Sequence, residues 1–106
     1  MFKPETLIPG KEICEVKKDF SGAQRIEQYR LGKEAVYIPA GLKWNYIPKA
    51  EIESVSASHR TVSAGHCVTV EVQTPSLEIV TSCGPFELHL EKQASLDIFL
   101  ADLDKH

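Results

Sequence analysis

The hydrophobic pattern of this chain changes period near residue 92, and that change limits the folds open to it. Before it, apolar residues tend to recur at every second position, interrupted at short intervals by Pro, Gly, Asp and Ser. After it, KQASLDIFLADLDK places Leu96, Phe99, Leu100 and Leu103 at i, i+3, i+4 and i+7. A period of two belongs to half-buried strands and a period near 3.6 to an amphipathic helix. The expected fold is therefore mainly β, with about seven short antiparallel strands and one C-terminal helix over residues 92–104. Asp97, Asp102 and Asp104 lie off the helix stripe and are expected in solvent.

Turn chemistry divides the β portion. Residues 1–10, with Pro4, Pro9 and Gly10, read as an extended lead-in. KEICEVKK (11–18) reads as a first strand with Cys14 and Val16 inward, on the parity of Phe20. QRIEQYRL (24–31) fits strand and helix periods equally well. Gly32-Lys33 suits a tight type II′ hairpin. The tripeptide Tyr-Ile-Pro occurs at 37–39 and again at 46–48. The flanks of the two copies do not match, so they read as the ends of two successive strands separated by Ala40-Gly41. Proline lacks the N–H a ladder needs and belongs at strand ends or edges.

Lys49-Ala50-Glu51 then suits a short turn or one turn of 3₁₀ helix. A strand is expected from Ile52 to about His59, a connection over Thr61–Gly65, and a strand over HCVTVEVQ (66–73). Pro75-Ser76 and Gly84-Pro85 read as the next two turns. They bound LEIVTS and FELHLE, the latter with Phe86, Leu88 and Leu90 inward.

At 106 residues the chain is expected to form one domain, spanning 1–106. Its hydrophobic fraction of 42% and charged fraction of 25% are those of ordinary globular proteins. No apolar run approaches the roughly 18 residues of a membrane span. The N-terminal MFKPETLIPGKEI has no apolar core of a signal peptide. The three cysteines, Cys14, Cys67 and Cys83, are odd in number, which fits reduced thiols and a cytoplasmic location. The net charge of −3 argues against nucleic acid. Residues 1–49 hold nine Lys/Arg against six Asp/Glu, and residues 50–106 hold three against nine. The basic half could face an anionic surface weakly.

The order of strands and helix, with two local stretches, resembles the bacterial pleckstrin-homology-like (PH-like) proteins. WNYIPKAEIESV is similar to their "aromatic, Ile-Pro, polar, Ile, Val" segment, and FELHLEKQASLDIFLADL to their last strand and capping helix. The resemblance runs from about Gly10 to Asp104. It implies a partly open barrel of two packed antiparallel sheets with the helix over one end. It also implies a non-catalytic binding or scaffold role, since members of this fold bind lipid headgroups, peptides or protein surfaces. The family's phosphoinositide signature needs a Lys and, after a loop, two basic residues one position apart. Here Lys17 and Lys18 are followed by Arg25 and then the acidic Glu27. High-affinity phosphoinositide binding is therefore not expected.

No motif supplies recognisable catalysis, and neither a cofactor nor a metal is expected. His66 and Cys67 are adjacent, so on a strand they face opposite ways and cannot reach one ion together. The competing reading is a small thiol- or metal-dependent enzyme or sensor. It would draw on Cys67, Cys83 and one of His59, His66 or His89. The packing alternative makes Cys14 a small core residue and leaves Cys67 and Cys83 as partly exposed spectators. Tyr37, Trp44 and Tyr46 form an aromatic cluster that cross-strand packing would explain. The exposed side of LKWNY is nonetheless the best candidate contact patch, since Trp and Tyr are enriched at interfaces. With Lys18 and Arg25, these residues make the candidate binding set: Tyr37, Trp44, Tyr46, Lys18 and Arg25. The expected partner is a protein or a second copy of the chain, the latter if HCVTVEVQ lies at a sheet edge.

Overall fold

The computed structural model describes residues 3–63 and 71–103, with the side chains of 59–73 outside the description. Within these residues the chain is mainly β, in two sheets, with a C-terminal helix. The first sheet has five strands in the order β1-β5-β4-β3-β2, namely β1 (Glu5–Thr6), β2 (Gln24–Ile26), β3 (Tyr29–Leu31), β4 (Ala35–Ala40) and β5 (Lys43–Pro48). The second has three, β6 (Ile52–Ser63), β7 (Glu71–Thr81) and β8 (Gly84–His89), with β7 in the centre. Two helices complete the set, α1 (Val16–Ser21) and α2 (Gln93–Leu103).

The two Tyr-Ile-Pro strands are β4 and β5, joined by Gly41-Leu42. Their register sets Tyr37 opposite Tyr46 and Pro39 opposite Trp44. Gly41 takes φ 66, a left-handed conformation that favours glycine. Along these strands the side chains alternate between two cores. Val36, Ile38 and Ile47 join Ile26, Tyr29 and Leu31 on one face of the five-stranded sheet. That face packs on Leu77, Ile79, Leu88 and Leu90 of the second sheet region and on Leu96, Phe99 and Leu103 of α2. On the opposite face Ala35, Tyr37, Tyr46 and Trp44 pack under Ile13, Val16, Phe20 and Ala23 of the α1 segment. The molecule is thus layered, with the α1 segment outside, the larger sheet in the middle, and the smaller sheet with α2 beyond.

Several expectations are corrected by this arrangement. Residues 11–18 are not a strand: the chain turns and enters helix α1 at Val16. Val16 and Phe20 share a face at a strand's period of two and also at a helix's i, i+4, so the parity was ambiguous. Val16 is buried as expected, but Cys14 is exposed. The lead-in contains β1, a two-residue strand parallel to β5. Residues 24–31 are neither one strand nor a helix but the hairpin β2–β3, turned at Glu27-Gln28.

The next turn is Lys33-Glu34. Gly32 precedes it, does not take the positive φ of a II′ turn, and its N–H bonds the Ala35 carbonyl at 2.9 Å. Glycine is needed there for space instead. A Cβ on Gly32 would stand 2.2 Å from Asp19 Oδ2 and 2.9 Å from the Tyr37 ring.

In the second sheet, Thr61–Ser63 continue β6 and are not a connection. Of HCVTVEVQ, residues 71–73 lie in the central strand β7 rather than at an edge, and 66–70 lie outside the described residues. Pro75-Ser76 is not a turn either, since both residues sit inside β7. The Pro75 carbonyl accepts the Leu90 N–H at 3.0 Å, just past the end of β8. In an antiparallel strand the N and C=O of one residue point to the same side, so the missing N–H of Pro75 faces that end and the β6 ladder is spared. The β7–β8 turn is Ser82-Cys83, with Gly84 at φ 116 opening β8. Lys49–Glu51 forms the 3₁₀ turn.

The ladder hydrogen bonds do not close the two sheets into a barrel. Polar links join the layers instead. The Tyr29 hydroxyl donates to the His89 carbonyl at 3.2 Å and accepts the His89 N–H at 3.0 Å, tying β3 to β8. Asp102 of α2, expected in solvent, pairs with the ammonium of Lys49, whose side chain is only 5% exposed. No helix among the described residues is long and apolar enough to cross a membrane.

Candidate functional site

The outer face of the five-stranded sheet carries most of the residues marked in the sequence, and helix α1 decides which of them are accessible. Its Asp19 holds the helix against the β3–β4 turn. Asp19 Oδ1 accepts the backbone N–H of Lys33 at 2.9 Å and of Glu34 at 3.2 Å. Oδ2 accepts the Tyr37 hydroxyl at 2.7 Å. Burial pushes the Tyr37 phenol up, and the hydrogen bond to Asp19 and its negative charge push it further, so the ring stays neutral and donating. Tyr37 and Tyr46 are both fully buried, with ring centroids 5.8 Å apart. Their role here is packing, and neither ring is open to an outside partner.

Clamping α1 brings Phe20 over the edge of this cluster, 5.1 Å from the half-buried Trp44. Arg30 of β3 projects on the same face. Its guanidinium lies 4.6 Å from the Phe20 ring centroid and 5.5 Å from that of Trp44. Cations over aromatic faces are stabilised by the ring quadrupole, the more so when partly desolvated. Arg30 Nε is buried and has no hydrogen-bond partner. Directly across the β2–β3 pair stands Arg25, exposed, with Nε donating to the Glu27 carbonyl at 3.3 Å. Facing residues of an antiparallel pair place their side chains on one face, and like charges placed so repel. Arg25, Arg30, Trp44 and Phe20 thus compose one cationic and aromatic surface.

Glu27 does not occupy this surface. It turns the β2–β3 hairpin at φ 57, a left-handed conformation uncommon for a residue with a side chain. From there its carboxylate accepts the N–H of Glu91 at 2.8 Å and of Lys92 at 3.2 Å, just before α2. Burial tends to raise its pKa, but hydrogen bonds from Ser95, Glu91 and Lys92 and the Lys92 charge outweigh it and hold the carboxyl below its ordinary value. Glu27 therefore serves as a distant cap for α2, and its charge is directed away from the arginines.

Of the five candidate binding residues, the structure brings Arg25 and Trp44 together through Arg30 and withdraws Tyr37 and Tyr46 into the core. Lys18 lies elsewhere, 3.7 Å from Glu15 and exposed. It lines two adjoining open clefts, which share Cys14, Glu15 and Lys18. The larger, of about 810 Å³, is also walled by Glu12, Asp19, Lys33 and Glu34 and carries more acid than base. Neither cleft includes Arg25, Arg30 or Trp44.

Cys14 and Cys83 are free and exposed. Among the described residues no group of three His, Cys, Asp or Glu could hold a metal ion. His66 and Cys67 lie outside those residues, and so does the side chain of His59. Phe20, Asp19 and Glu27 were not recognised from sequence as parts of this arrangement. The helical i, i+4 spacing of Val16 and Phe20 was the available signal for the first two. Comparisons with protein-family models, curated proteins and solved structures found no match.

Proposed function

We propose that this chain is a non-catalytic binding or scaffold domain of PH-like type, acting in the cytoplasm and docking a protein partner on the Arg25–Arg30–Trp44 face. The observation that carries the reading is the Arg30 guanidinium, packed against the adjoining Phe20 and Trp44 rings with a buried Nε that no protein atom satisfies. An arginine fixed in this way loses little further freedom on binding, and Arg and Trp are the residue types that dominate interface energetics. The surface lies outside both clefts, and a shallow surface suits a macromolecule better than a small ligand, which prefers a concave site. Two sheets followed by one C-terminal helix support the PH-like part of the reading.

The test is capture from native lysate with wild-type protein, with Arg25→Glu and with Arg30→Gln, each checked for folding by circular dichroism. Partners retained by wild type and lost from both folded variants support the reading. A set of captured proteins identical across all three removes this face from consideration.

A further inference from the structure

We infer that the ligand of this face is an acidic peptide segment that presents two carboxylates, one to Arg25 and one to Arg30. The inference rests on the docking reading above and specifies its chemistry. Arg25 and Arg30 are register partners on one face of β2 and β3, and among the described residues no carboxylate pairs with either. The chain has 15 Asp and Glu, so the lack of an internal partner is not a shortage of acid. The acids set nearest by the fold are directed elsewhere: Asp19 holds the Lys33 and Glu34 amides and the Tyr37 hydroxyl, and Glu27 holds the amides before α2. An external ligand with two carboxylates would supply the countercharge that neither arginine finds among the described residues.

Carboxylate matches the planar fork of arginine, and the Arg30 fork packs against the Phe20 and Trp44 rings. Two separately placed cations on a face outside the clefts favour an extended chain carrying two acids over a compact polyphosphate headgroup. Such a headgroup draws several cations into one pocket.

Trp44 is the only tryptophan in the chain, so its fluorescence reports directly on this surface. The experiment titrates the full chain with a synthetic Glu/Gly octapeptide, with its Gln/Gly counterpart and with vesicles containing phosphatidylserine. The expected result is a saturable change in Trp44 emission with the Glu peptide alone, weakening as salt is raised. Arg25→Gln and Arg30→Gln should each weaken binding about tenfold or more, since each removes a charge-assisted pair. Arg30→Lys should also bind less well than wild type despite its equal charge. If Arg30→Gln does not fold, the exposed Arg25→Gln carries the test.

Unchanged emission up to millimolar Glu peptide overturns the inference. So does equal binding of the Gln peptide, equal affinity in the arginine variants, or tight vesicle binding without peptide binding. If lysate partners depend on Arg25 while the Glu peptide is ignored, the acidic-peptide inference falls and the docking reading stands. If neither depends on Arg25, both fall.

Discussion

Two acidic residues, Glu27 and Asp102, show how far a single carboxylate can determine the relation between distant parts of this chain. Glu27 accepts a strained φ of 57 and in return satisfies orphan amides in front of α2, which otherwise have no partner within the helix. Its pKa is lowered in the folded state, so its contribution is complete above the ordinary glutamate range and is lost as pH falls through the folded value. Glu27→Gln should therefore cost about 0.5–2 kcal/mol at neutral pH, the usual range for a lost helix cap. The gap between variant and wild type should narrow as pH falls below the ordinary glutamate range and close once the folded carboxyl is itself protonated. Urea melts across pH 3–7 measure this, and a gap that persists at low pH contradicts the assignment.

Asp102 neutralises an ammonium whose side chain is 5% exposed, while its own is 39% exposed. Removing one partner of a buried pair leaves the other uncompensated, at about 3–5 kcal/mol when both are buried. Solvent at Asp102 reduces that, so Asp102→Ala should cost more than about 1 kcal/mol, and Lys49→Met, which removes the buried charge itself, should cost less. Denaturant melts of the two variants should rank them in that order.

Among the elements, α2 was the most legible in the sequence because four apolar residues repeat at a period no strand can share. Leu96 and Phe99 are fully buried and Leu103 nearly so. Phe99→Ala should cost about 3–5 kcal/mol, the range for a truncated core Phe. A melting midpoint equal to wild type would mean that the stripe does not carry the core. The β4–β5 hairpin was legible too, since Pro39, Pro48 and Gly41 mark its limits. Helix α1 was not, because Val16 and Phe20 are compatible with either period and the residue that fixes the answer, Asp19, acts through contacts 14–18 positions away. Pro75 misled for a related reason. A proline signals a turn locally, but whether its missing N–H matters depends on where β8 ends. The candidate site was legible only in part: Arg25 and Trp44 belong to it, yet the tyrosines beside Trp44 are buried by a helix that the local pattern does not announce.

At the scale of the whole molecule, the layers are coupled through shared residues. The larger sheet contributes to both cores, and the links from Glu27 to α2, Tyr29 to β8 and Lys49 to Asp102 span different elements. Far-ultraviolet circular dichroism, which follows the strands, and Trp44 fluorescence, which follows the outer layer, should therefore give coincident unfolding transitions. An earlier Trp44 transition would show that the α1 layer opens by itself. The dimensions of 50 × 30 × 24 Å and the radius of gyration of 14.9 Å, against about 13 Å for a compact chain of this length, describe an elongated body. Part of that length is the β6–β7 ribbon, which continues past the Ser76–His89 pair where β8 ends.

The proposed docking surface is the outer face of the larger sheet, at Arg25, Arg30 and Trp44. The most direct measurement is a nitrogen–proton correlation spectrum of labelled protein recorded during titration with the partner captured from lysate. The Trp44 indole and the Nε–H signals of Arg25 and Arg30 should move or broaden first and together, while the amides of α2 and β8 change little. Changes centred on the Cys14–Glu15–Lys18 clefts or on the β6 edge, with Trp44 and the two arginines unmoved, would contradict it.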